Sequence, residues 1–153
     1  GSFPEDAVRQ RKANGQFTTI YTCCNPDHPN TFAFSPLAEP EYLGLAISAR
    51  NYDGYLRWAL NSWPEDPTSD SRFGNWLSGD TYLLYPEGSS IRFERLRAGI
   101  QDYEKVRILR AEGNPTVNAA LDKVLAPFRA VVTDDSINAA KAVREAKAVI
   151  NKF

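Results

Sequence analysis

At 153 residues the chain has the length of one ordinary domain, long enough to bury a real core. A hydrophobic content of 42% and a charged content of 24% exclude a disordered chain, and a net charge of −1 leaves no electrostatic footprint for nucleic acid or an anionic membrane. No apolar run reaches the length that spans a bilayer, so membrane insertion is not expected. No signal-peptide pattern opens the chain, and Gly1-Ser2 reads as an expression scar, so that absence says little about the destination of a parent protein.

In chain order, EDAVRQRKAN (5–14) predicts the end of a preceding helix, stopped by Gly15. QFTTIYTC, rich in β-branched and aromatic residues, predicts a strand over 17–22. Pro26, Pro29 and Pro36 then forbid regular structure through CNPDHPNTFAFSP. EPEYLGLAISARN predicts a helix with Pro40 in its first turn and Tyr42, Leu43, Leu45, Ala46 and Ala49 on an apolar face that Gly44 weakens. YDGYLRWAL predicts the second strand, residues 61–79 a long loop, and DTYLLYP the third strand. Ser90 is placed to cap a long helix from 91 to about 112, on which Phe93, Leu96, Ile100, Tyr103 and Val106 share helical spacing. Its charged residues, Arg92, Glu94, Arg95, Arg97, Asp102 and Glu104, predict a solvated, ion-paired face. Two amphipathic helices complete the chain, over 116–130 and 135–152, the last capped by Asp134 or Asp135.

Strands alternating with helical crossovers predict an α/β fold with three parallel strands, followed by C-terminal helices. Ligand sites in such folds gather where strands end. That rule sets residues 21–30, 57–66 and 85–89 on one rim. Three strands leave two edges and one face uncovered, which predicts a C-terminal segment of a larger (β/α)8 barrel. The expected organisation is therefore 1–14 as the end of a preceding helix, 15–113 as the barrel segment, and 114–153 as a helical extension. Its open strand edges predict self-association of the truncated chain.

The rim holds Tyr21, Arg57, Trp58, Asn61 and Trp63, with Asp66, Asp70, Trp76 and Asp80 nearby. Aromatic rings that stack on apolar sugar faces, beside planar polar groups that grip hydroxyls, suit carbohydrate binding. The plainer alternative makes Trp58 a core residue and pairs Arg57 with an acid such as Asp53. A loop of nearly twenty residues carrying two tryptophans favours a functional reading. Glu65-Asp66 sits between prolines and reads as solvated rather than as an acid–base pair. Cys23, Cys24, Asp27 and His28 match no usual zinc spacing, so no metal is expected. Adjacent cysteines are badly placed to pair with each other, no phosphate loop occurs, and no cofactor is expected.

The motifs YTCCNPDHPNTF, DGYLRWALNSWPEDP and GDTYLLYPEGSSIRFERLRAGIQDYE, in this order, resemble the C-terminal part of glycoside hydrolase family 123, a stretch also described as domain of unknown function 4091. The resemblance covers about residues 15–110. It implies a parent with a (β/α)8 barrel that hydrolyses β-N-acetylgalactosaminides, so the implied partner is an N-acetylhexosamine glycan. It also implies a parent that is periplasmic, on the cell surface or secreted. The implied chemistry is substrate-assisted: the 2-acetamido oxygen attacks the anomeric carbon, served by an adjacent Asp-Glu pair on an earlier barrel strand. Nothing in this chain matches that strand, so no catalytic residue is assigned and the chain alone is expected to be inactive. The resemblance places Tyr21, Arg57, Trp58 and Trp63 near the sugar pocket. A stand-alone carbohydrate-binding module and an interaction domain using the last helices are the alternatives.

Overall fold

The computed structural model describes residues 4–153, and the Gly1-Ser2 reading lies outside them. The elements run α1 (Glu5–Ala13), β1 (Thr19–Thr22), α2 (Glu39–Ala49), β2 (Gly54–Arg57), α3 (Ile91–Ala111), α4 (Pro115–Leu125) and α5 (Ala139–Ile150). Short 3-10 turns at Ala126–Arg129 and Asp135–Ile137 precede α5. The fold is mixed α/β. No helix among the described residues is long and apolar enough to cross a membrane.

β1, α2 and β2 form a βαβ unit, and the two strands pair in parallel with Thr19 opposite Gly54 and Thr22 opposite Arg57. Residues 81–85, expected as a third parallel strand, do not extend this sheet. Ser62 N–H donates to the Thr81 carbonyl (3.1 Å) and Leu83 N–H to the Leu60 carbonyl (2.8 Å), so this segment runs antiparallel to the chain that leaves β2. Tyr82 and Leu83 are fully buried, as their apolar run demands. Their backbone takes its partners from residues 60–62, because the long loop folds back on its own start.

α2 is the central helix. Nearly every residue from Glu39 to Ala49 is buried, because the helix's many apolar residues pack against α3, α4 and α5 while Glu39 and Glu41 find charged or polar partners. Gly44 has a purpose that helix propensity hides. A Cβ there would lie 2.0 Å from the Gly99 carbonyl oxygen of α3, and one on Gly99 would lie 2.6 Å from the Glu41 carbonyl oxygen. Paired glycines thus let two helix backbones touch. The C-terminal helices share the same core: Val117, Leu121, Leu125 and Phe128 meet Ala139, Val143, Ala146 and Ile150 around α2.

The caps follow the sequence with one change. The Ser90 hydroxyl accepts from Phe93 N–H (3.1 Å), and Asn114 caps α4 ahead of Pro115. Asp134 caps the 3-10 turn, while Asn138, in left-handed backbone at φ 41°, caps α5. The charged face expected on α3 divides. Arg97–Glu94 and Arg107–Glu104 are exposed pairs, but Arg92 and Asp102 are buried. Arg92 donates to the Thr31 (2.7 Å) and Gly79 (2.9 Å) carbonyls. Asp102 holds Lys147 of α5 (2.8 Å), which also pairs with Glu41 of α2.

Candidate functional site

Strand alternation divides the sheet between two environments. Ile20, Thr22, Tyr55 and Arg57 point to the helix side, where Ile20 and Tyr55 join the core. Tyr21 (47% exposed), Leu56 (54%) and Trp58 (41%), which lies just past the end of β2, stand open on the other side. An open sheet face of large apolar side chains is a surface built to contact something.

Arg57, grouped with Trp58 by sequence proximity, has a side chain only 4% exposed that pairs with a fully buried Asp80. Its Nη2 donates to Asp80 Oδ1 (2.6 Å) and to the Asp80 carbonyl (2.8 Å). Its Nη1 donates to Asn30 Oδ1 (3.1 Å) and Thr22 Oγ1 (3.2 Å). The Asn30 amide in turn donates to the Cys23 (2.8 Å) and Pro26 (2.7 Å) carbonyls, and Thr22 shares a hydrogen bond with the Tyr55 hydroxyl (2.6 Å). One guanidinium therefore fastens the loop after β1, the end of β2 and the end of the long loop. Asp53 instead accepts from Thr18 N–H (2.8 Å) and pairs with Lys12 (3.5 Å).

The aromatic groups lie above this hub. The Trp58 and Trp76 rings meet with centroids 4.8 Å apart and planes tilted by 44°, and both are partly open to solvent. Trp63 donates its indole N–H to the Leu84 carbonyl (2.7 Å), which fixes the ring while leaving over a third of the residue exposed. Asn61 is exposed and bridges Tyr82 through the backbone. The structure thus brings Trp58 and Trp76 together, keeps Tyr21 on the same open face, and places Arg57 behind it.

Hydrogen bonds from Thr68 and Ser69 lower Asp66 to about 2, and those from Arg72 lower Asp70 to about 2. Neither carboxyl holds a proton to give near neutral pH. His28 is bound through Nδ1 to the buried Glu39 (2.5 Å), whose other oxygen accepts from Asn30 N–H (2.9 Å). Among the described residues no three His, Cys, Asp or Glu side chains converge as metal ligands.

The family described as glycoside hydrolase 123, catalytic domain, matches residues 2–109. The chain belongs to glycoside hydrolase family 123. No curated protein matches it. It is similar to the solved structure of a family 123 glycoside hydrolase from Clostridium perfringens, described for glycolipid glycan hydrolysis, with a TM-score of 0.83 at 24% identity. The likeness covers 97% of this chain and 29% of that one, so the chain spans under a third of that enzyme's length.

In this family 123 chain, Thr22 and Asn30 fall within the rim expected over residues 21–30, but their role as partners of Arg57 is not evident from composition. The available signal was alternation: Arg57 and Thr22 fall on the strand face opposite Trp58 and Tyr21, so a strand-end arginine there needs buried acceptors.

Proposed function

We propose that this chain forms the closing segment of a (β/α)8 barrel in a glycoside hydrolase, with residues 15–113 as barrel wall and 114–153 packed behind it. Its open sheet face and strand ends supply one side of a pocket for an N-acetylhexosamine glycan. Tyr21 and the Trp58–Trp76 pair are the stacking surface, and Asn61 and Trp63 border it. Arg57 positions the loops that carry them. The acids that cleave the bond come from other strands, and hydrolysis proceeds with help from the 2-acetamido group of the sugar, already held against the reacting carbon.

The observation that carries this reading is the open aromatic face at the ends of two parallel strands, in a family 123 sequence. The depressed Asp66 and Asp70 support placing the chemistry elsewhere. Incubated with an aryl N-acetyl-β-galactosaminide, the chain alone should release no aryl alcohol. Hydrolysis that disappears in Glu65→Gln or Asp66→Asn would overturn the assignment.

A stand-alone carbohydrate-binding module is the second reading, favoured by the Trp58–Trp76 contact being formed within this chain. Titration with N-acetylgalactosamine, followed by tryptophan fluorescence, separates the two. Saturable millimolar binding lost in Trp58→Ala supports the module; no saturation supports an incomplete wall.

A further inference from the structure

Cys23 and Cys24 follow β1 directly, on the rim, and the function above does not use them. On a regular strand, consecutive side chains point to opposite faces. Here the chain bends: Cys23 N–H donates to the Asn25 carbonyl (3.1 Å), and the Asn30 amide holds the Cys23 carbonyl from behind (2.8 Å). The bend turns both thiols the same way, and their sulfurs meet at 3.7 Å, with each residue partly open to solvent. We infer that Cys23 and Cys24 form a reversible dithiol–disulfide site on this rim, oxidised by a small disulfide of the glutathione class.

The two thiols differ. A backbone hydrogen bond at Asn25 holds the Cys23 thiol below its ordinary value, whereas its neighbour Cys23 pushes Cys24 up. Cys23 is therefore the attacking group. Its thiolate joins one sulfur of the small disulfide and expels the other as a thiolate. Cys24, losing its proton, then attacks the Cys23 sulfur and expels the second thiolate. Two cysteine thiols are oxidised, one disulfide is reduced to two small thiols, and the cysteine protons pass to the leaving groups. Consecutive Cα atoms lie about 3.8 Å apart, short of the roughly 4.4 Å at which ordinary disulfides begin. The resulting eight-membered ring is strained and easily reduced, which makes it a labile bridge rather than a structural one. Adjacency argues against a permanent bond, and the contact between the sulfurs argues for a reversible one.

The test is intact mass after the reduced chain meets oxidised glutathione, with free thiols then alkylated. The expected product is a monomer lighter by two hydrogens that takes no alkyl group, and that regains two alkylatable thiols under mild dithiothreitol. Cys23→Ser and Cys24→Ser should each give no such product, and Cys24→Ser should form its glutathione adduct faster than Cys23→Ser. A wild-type chain that stops as a glutathione adduct, links into dimers, or keeps two free thiols overturns the inference. This readout is independent of sugar binding, so the inference and the carbohydrate reading stand or fall separately.

Discussion

Asp80→Asn isolates the charge at the centre of the hub. The amide fills the carboxylate's space and still offers Arg57 Nη2 an acceptor, so the loss is electrostatic. Arg57 loses its only charged partner in this hub. It would remain buried among neutral acceptors, which include the new amide, the Asp80 carbonyl, Asn30 Oδ1 and Thr22 Oγ1. Removing one partner of a buried pair costs about 3–5 kcal/mol. Asp80 Oδ2 and Arg57 Nε have no hydrogen-bond partner among the described residues, so the pair is imperfectly satisfied and the lower figure applies. At about 2–4 °C per kcal/mol for a chain of this size, about 3 kcal/mol lowers Tm by roughly 6–12 °C. Circular dichroism on heating gives Tm, and urea unfolding gives the same loss as a midpoint lower by at least about 1 M. The double variant Arg57→Met, Asp80→Leu should recover most of the loss, because it leaves no unpaired buried charge. A Tm within about 2 °C of wild type for Asp80→Asn would show that water reaches the guanidinium, and the hub would not be a buried one.

Gly44→Ala drives a methyl group into the Gly99 backbone, which cannot rotate away. Loss of about 3 kcal/mol or more is expected in urea unfolding, against less than about 0.5 kcal/mol for an Ala at the open Gly88. Burial opposes the charge on Lys147, but its hydrogen bonds to Asp102 and Glu41 outweigh that and raise its pKa above the ordinary 10.5. Its contribution is therefore complete below 10.5 and lost as pH rises through the raised value, so the stability gap between wild type and Lys147→Met should close in alkali. Asp66 should titrate near pH 2 by carboxyl-carbon NMR, and Thr68→Val should move it up towards 3.8. Its contribution is present above 3.8 and fades as pH falls towards 2; a wild-type midpoint above 4 would contradict the local hydrogen bonds.

Much of the fold was legible because local chemistry decides it. Gly15 ends α1, Ser90 starts α3 and Pro115 sits at the first turn of α4, each through a constraint carried by one residue. What was not legible depended on partners distant in sequence. Gly44 reads as a weak point until Gly99 is laid against it, and Asp102 reads as solvated until Lys147 arrives from 45 residues away. The apolar run at 81–85 has the composition of a strand, but composition reports burial, not the direction of pairing. Its backbone partners are residues 60–62.

The same distinction governs the candidate site. Arg57 and Trp58 are neighbours in sequence, yet a strand end sends them to opposite sides. On the helix side, charge is buried and therefore demanding: Arg57 requires Asp80, Asn30 and Thr22 in fixed places. On the open side, Tyr21, Trp58 and Trp76 make few demands and remain available. A ligand wall needs both properties, since stacking on a sugar tolerates little displacement while the rings must stay uncovered. In the proposed wall the arginine meets the first need from behind the open face. A loss of sugar contact in Arg57 variants should therefore be accompanied by loosening of the loop after β1, whereas Trp58→Ala should remove contact and leave that loop in place.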